Sequence, residues 1–111
     1  MASAVLIYST FGSEKDAQKA VQNLLKMKLV GCAVMFPAKS MYWWKGSIDT
    51  AQETILLLKT TKSLVVKAKK ELAKKHPYEV PCILDWPAGV NDSYLNWLME
   101  STGKSPKTKK K

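Results

Sequence analysis

The chain contains no arginine. All eighteen of its basic residues are lysines, set against nine acidic residues, for a formal charge of +9. Base-edge reading and tight phosphate binding usually recruit the planar guanidinium fork, so sequence-specific nucleic-acid recognition is not expected. Five of the lysines lie in the last eight residues, which contain no acid; without them the net charge is +4. Such a run reads as a solvated, disordered end. The expectation is one folded domain over 1–103 and a lysine-rich tail over 104–111.

Histidine occurs once, at His76, and cysteine twice, at Cys32 and Cys82, fifty residues apart in apolar surroundings. Neither number nor spacing makes a disulfide framework or a zinc site, and buried free thiols are expected. No uncharged apolar run approaches the roughly 18 residues of a membrane span. The opening Met1-Ala2-Ser3-Ala4-Val5-Leu6-Ile7-Tyr8 also lacks the basic start and small-residue cleavage site of a secretory signal. A cytoplasmic protein without membrane partners is expected.

What is present suits a small globular domain. The apolar fraction is 46%, ordinary for a chain that buries a core. Residues 4–10 predict a strand buried on both faces. Ser13-Glu14-Lys15-Asp16 resembles a capping box, and Ala17, Ala20, Val21, Leu24 and Leu25 continue at helical spacing, predicting a helix over 14–28. A second strand is expected over 30–44, with Cys32, Val34 and Phe36 on one face and the smaller Gly31, Ala33 and Met35 on the other. Pro37 in it implies a bend, a bulge or an edge position. A third strand follows from Ser47 to Thr60. Thr61 or Ser63 then caps a second helix that buries Val65, Ala68, Leu72 and Ala73 and ends at His76-Pro77. A fourth strand is expected over Pro81–Pro87, a loop at 88–90, and a last short helix burying Tyr94, Leu95, Trp97 and Leu98.

The order β-α-β-β-α-β plus a terminal helix predicts an α+β, ferredoxin-like split βαβ sandwich with strand order 4-1-3-2. The two central arms are about 13 to 15 residues long, against a common strand length of about 5–6. Their hairpin outruns a domain of this size. Near its tip Trp43 and Trp44 are adjacent, so on a strand they point to opposite faces. One subunit core cannot hold both, and a second copy of the chain is expected to cover the other, together with the exposed edge strand.

The stretches Ser40-Met41-Tyr42-Trp43-Trp44-Lys45-Gly46 and His76-Pro77-Tyr78-Glu79-Val80-Pro81 carry a resemblance to the CutA family of divalent-cation tolerance proteins. Leu58-Lys59-Thr60 and Tyr94-Leu95-Asn96-Trp97-Leu98 support it, and the similarity spans roughly residues 5–98. The resemblance implies a tight homotrimer with long hairpins pairing between subunits. It also implies a role in divalent metal, especially copper, binding and tolerance, with no established catalytic activity. Some bacterial relatives carry a cysteine and a double histidine linked to copper; the corresponding positions here are Ser9, Lys75 and His76. The glutamate usual after Val-Pro is Cys82.

His76, Cys82 and Glu79 are therefore the candidate metal ligands, since imidazole and thiolate suit copper or zinc. The plainer reading of His76 is a hydrogen-bonding residue at a helix end. Lys59, Tyr78 and Glu79 are candidates for a polar pocket, on the strength of the resemblance, and are expected to pair with one another. Tyr42, Trp43, Trp44 and Trp86 are assigned to assembly. Two other readings fit the same fold: a nucleic-acid-binding module, and a small-ligand-binding regulatory trimer. The first needs aromatics on the central strands, where Ile55-Leu56-Leu57-Leu58 offers none. Acylphosphatase-like chemistry needs the missing arginine, and a metallochaperone of this fold needs a Cys-x-x-Cys that the first loop lacks.

Overall fold

A computed structural model describes residues 3–103. Its elements are β1 (Ser3–Phe11), α1 (Glu14–Lys26), β2 (Cys32–Trp44), β3 (Ser47–Thr60), α2 (Val65–Lys75), β4 (Ile83–Gly89) and α3 (Asp92–Thr102). The four strands form one antiparallel sheet in the order β2-β3-β1-β4, the order expected from the sequence. The tail expected at 104–111 lies outside the described residues.

Alternation decides which side of each strand is buried. Ile7 and Phe11 of β1 face the same way as their cross-strand neighbours Leu58, Leu56 and Thr54. With Ala17, Ala20, Val21 and Leu24 of α1 and Ala68 and Leu72 of α2 they make the core. Each large side chain buried there contributes about 1.5–3 kcal/mol. Asn23 Nδ2 donates to Glu71 Oε2 at 3.1 Å and ties the two helices together, and Lys69 pairs with Asp85 across to β4. The last helix returns to the Cys32–Lys59 end of the sheet. There Leu98 is fully buried and closes so tightly over Gly31 that a Cβ at that glycine would meet Leu98 Cδ1 at 2.6 Å.

Several local expectations shift. Ser13 caps α1 through Asp16 N at 3.1 Å, as the capping box implies. The helix stops at Lys26, however, because Leu29 and Val30 must turn back into the core. The turn is a Schellman closure, with Leu29 N bonded to Leu24 O and Lys28 N to Leu25 O, and it forces Lys28 to φ 59°. Neither Thr61 nor Ser63 caps α2: the helix opens at Leu64 with no side-chain cap, and those two hydroxyls lie 3.2 Å from each other instead. Ala73 is exposed rather than buried. The fourth strand is displaced from the expected 81–87 to Ile83–Gly89, because Ala88 and Gly89 pair with Ala4 and Ser3. Pro37 sits on the outer strand and leaves the β2–β3 register continuous, so it marks an edge and not a bulge. Trp97 is exposed on α3. Cys32 is half-buried and Cys82 exposed, both free, so the buried-thiol expectation fails.

The hairpin dominates the shape. Its β2 and β3 arms pair from Cys32–Lys59 to Trp44–Ser47, whereas β1 covers β3 only from Thr54 to Thr60. Beyond Thr54 the ribbon has two strands and no helix beneath it. The radius of gyration is 15.3 Å and the longest extent 54 Å, against about 13 Å expected for a compact chain of this size. The tip is a two-residue turn with Lys45 at φ 49° and Gly46 at φ 87°, the left-handed pair that matches the twist of the strands.

Two positive-φ sites give predictions of opposite sign. Lys28→Gly should raise stability by about 1 kcal/mol, and Gly46→Val should lower it by about 1–2 kcal/mol. Denaturant unfolding of the two variants measures both. A Lys28→Gly variant less stable than the parent would contradict the strained-closure reading.

Candidate functional site

The face of the sheet turned away from α1 and α2 is largely apolar. Strand register lines up Val34, Leu57, Tyr8 and Leu84 in one row across all four strands. Val34, Phe36, Leu84 and Trp86 are all exposed, Leu84 at 52%. Trp86 stands opposite Leu6 on β1, away from the hairpin aromatics with which it was grouped for assembly. Of those, Trp43 is 72% exposed and points to the other side of the ribbon, while Tyr42 and Trp44 lie on the open face, Trp44 in the last pair before the turn.

Where the four-stranded sheet narrows to the ribbon, this face is hollowed into a cleft of ≈ 600 Å³. Tyr8 and Thr10 of β1 form its floor, and Ser40, Tyr42 and Trp44 of β2 form one wall. Asp49 and Glu53 come from β3, and the segment after α2 supplies Tyr78, Glu79 and Cys82. Glu53 is the hub. Ser40 Oγ donates to its Oε1 at 2.5 Å and Tyr78 OH to its Oε2 at 2.5 Å. Burial first, and the Glu53 bond second, push the Tyr78 phenol above its ordinary range, so it stays a donor.

His76 holds this arrangement from below. It is 9% exposed, stacks on Phe11 with centroids 4.1 Å apart, and has partners at both ring nitrogens. Tyr78 N donates to Nδ1 at 3.1 Å, which makes Nδ1 the unprotonated nitrogen; Nε2–H then donates to Thr10 O at 2.8 Å. The ring thus joins the end of β1 to the segment that delivers Tyr78. Burial holds its pKa below the ordinary imidazole value of 6.5, although the Thr10 carbonyl and the Glu53 and Asp16 carboxylates oppose the shift.

The residues singled out in the sequence divide between places. Tyr78, Glu79 and Cys82 share the cleft with Tyr42, Trp43 and Trp44. Lys59 does not join them: its Nζ lies 5.4 Å from the Tyr94 ring centroid at the far end of the sheet. Tyr78 pairs with Glu53 rather than with Glu79 or Lys59. Among the described residues, no group of three or more His, Cys, Asp and Glu side chains gathers in a way that could hold a metal ion. Glu53, Ser40 and Asp49 were missed by sequence reasoning. One signal was available, since Glu53 and Asp49 are carboxylates in step with Ile55 and Leu57 on one face of β3.

Residues 5–101 match the family model described as CutA1 divalent ion tolerance protein. The divalent-cation tolerance protein CutA of Thermotoga maritima is 40% identical over 98 residues, covering 87% of this chain and 97% of that protein. The chain belongs to the CutA1 family. The crystal structure of CutA1 from Pyrococcus horikoshii superposes with a TM-score of 0.87 at 37% identity, covering 90% of this chain and 99% of that one. A CutA from Archaeoglobus fulgidus, described as a periplasmic divalent cation tolerance protein, also gives 0.87, at 32% identity with 90% and 99% coverage. These CutA1 relatives are named for tolerance and not for a catalysed reaction. No helix among the described residues of this member is long and apolar enough to cross a membrane.

The buried His76 makes stability pH-dependent. Its folded pKa lies below the unfolded value, so below about pH 6.5 the unfolded chain takes up a proton that the folded chain resists. This costs folded stability as pH falls. The urea midpoint should therefore be lower at pH 5.5 than at pH 7.5. Proton NMR should give this single imidazole a midpoint under 6.5; a midpoint above that value would contradict the burial argument.

Proposed function

We propose that this CutA1 family protein acts in the cytoplasm as a homotrimer that binds divalent metal, copper foremost, and contributes to cation tolerance without catalysing a reaction. The observation that carries the assembly is the open sheet face. Both edges present large apolar side chains, Val34 and Phe36 on β2 and Leu84 and Trp86 on β4. The β2 edge is thirteen residues long and unpaired on its outer side. An edge of that length is normally covered, and a second and third copy of the same hairpin supply matching strands. The layering supports this reading, since α1 and α2 sit on one face and the other, beyond the end where α3 places Tyr94 by Lys59, is open to partners. Two free cysteines suit a reducing compartment.

For the metal, the supporting chemistry is the donor set on the cleft wall, where the Cys82 thiol stands with the carboxylates of Glu79, Glu53 and Asp49. Thiolate and carboxylate together suit a transition metal. The described residues of one chain do not bring three such donors together, so in this proposal a neighbouring subunit completes the set. His76 enters only by giving up one of its two backbone bonds.

Sedimentation should give about three times the 12.4 kDa chain mass, and Phe36→Glu should reduce it toward that of the monomer. A parent protein that sediments as a monomer at micromolar concentration would end the trimer proposal. Copper titration by calorimetry should show weakening of about tenfold or more in Cys82→Ser, with unchanged sedimentation. Equal affinity in parent and variant would remove Cys82 from the metal site.

A further inference from the structure

We propose that the outer face of the helical layer, formed by α1 and α2, binds the phosphate backbone of a nucleic-acid duplex without reading its bases. The inference goes beyond the metal and assembly proposals and concerns the other side of the molecule. This layer lies across the sheet from the open face that the proposed trimer covers.

The charge of the chain is not evenly spread. Segments Glu14–Lys26 and Val65–Lys75 hold eight lysines and three acids. All other residues of 3–103 together hold five lysines and six acids. The positive excess of the folded domain therefore sits on its two helices. Helical spacing concentrates it further. Lys15, Lys19 and Lys26 share the side of α1 opposite the core residues Ala17, Ala20, Val21 and Leu24. Lys67, Lys70 and Lys74 make a matching stripe on α2, opposite Ala68 and Leu72. All six lysines are exposed.

Two contacts show how the stripes lie. Asn23 bonds Glu71, and four residues away in opposite senses Lys19 and Lys75 line one groove between the helices. The helices are thus antiparallel neighbours, with axes about 8–10 Å apart and stripes roughly 10–16 Å long. The groove, ≈ 380 Å³, adds the Gln22 amide. Of the three acids, Glu71 is engaged by Asn23 and Lys74 and Glu14 by Gln18, while Asp16 lines the groove.

The composition of the face selects the polyanion. Lysine meets phosphate as a point charge, and without the arginine fork it has little power to read base edges. Single strands are held largely by stacking on aromatic rings, and neither helix carries one. Lying on a membrane takes a broad apolar face; here Leu25 and Val66 are the only large apolar side chains of the two helices that are exposed. A duplex asks only for rows of backbone contacts, which position without specifying sequence.

The test uses the full chain in EDTA at about 50 mM salt, where phosphate contacts are strong. The probes are labelled DNA and RNA duplexes of two unrelated sequences, single strands of equal length, and vesicles of phosphatidylcholine with phosphatidylglycerol. Fluorescence anisotropy should show saturable duplex binding, alike for the two sequences and falling steeply with salt; the tighter of DNA and RNA identifies the source of the backbone. Lys19→Gln, Lys67→Gln and Lys70→Gln should each lower the slope of log affinity against log salt by about 1. Combined, they should weaken binding at least about tenfold, with sedimentation unchanged. The five tail lysines are a second source of charge, so a full-length variant with all five changed to glutamine is measured alongside. It should still bind and still respond to the helix substitutions. The proposal is overturned by absence of duplex binding, by tighter binding of single strands or vesicles, or by a tenfold preference between sequences. Duplex binding that ignores the helix substitutions and vanishes with the tail lysines would also overturn it.

Discussion

The structure depends on a mismatch in strand length. The β1 strand pairs with β3 from Thr60 only as far as Thr54, while β2 follows β3 to the tip at Ser47. Up to Thr54 the sheet has a helical layer beneath it and a core that needs nothing from outside. Beyond that step the chain is a two-stranded ribbon, and such a ribbon has marginal stability on its own in water. Its residues Met41, Trp43 and Ile48 are all exposed. The proposed trimer is the simplest way to supply the missing surface.

The same step creates the cleft. Glu53 is the first β3 residue past the last β1–β3 pair, so no β1 residue stands opposite it. Tyr78 and Ser40 fill that place with donors. Tyr78 reaches it because His76 bonds both the Thr10 carbonyl and the Tyr78 amide. The helix-ending His-Pro-Tyr stretch thus works as a strut: the imidazole fixes the backbone, and the phenol reaches over the sheet edge to the carboxylate. A buried polar network of this kind is stable only when every member is satisfied, which explains why His76 is neutral and doubly bonded.

Much of the fold was legible in local pattern. The capping box at Ser13, the periodicity of α1, the two long arms and the turn at Lys45-Gly46 all follow from residue chemistry and spacing, and strand order followed from crossover handedness. Where the reading slipped, a long-range contact overrode a local signal. Lys28 leaves the helix because Leu29 and Val30 are pulled into the core. Ala88 and Gly89 are strand because β1 pairs with them. The α2 cap residues bond each other because the chain enters that helix from a strand end already fixed by Thr60 Oγ1 on Leu29 O.

The site was less legible. Tyr78, Glu79 and Cys82 stand close in sequence and share the cleft, but Lys59 was grouped with them and lies at the opposite end of its strand side. Glu53 was passed over although it is the hub. By itself the sequence determined the elements, their order and the presence of an unusually long hairpin, because helical and strand periodicities are local properties of the chain. Only the tertiary structure decided which carboxylate meets Tyr78, that His76 has both nitrogens bound, and that the acids of a basic protein gather in one cleft. Those facts depend on register between strands far apart in the chain, and a shift of one residue would send every one of these side chains to the other face.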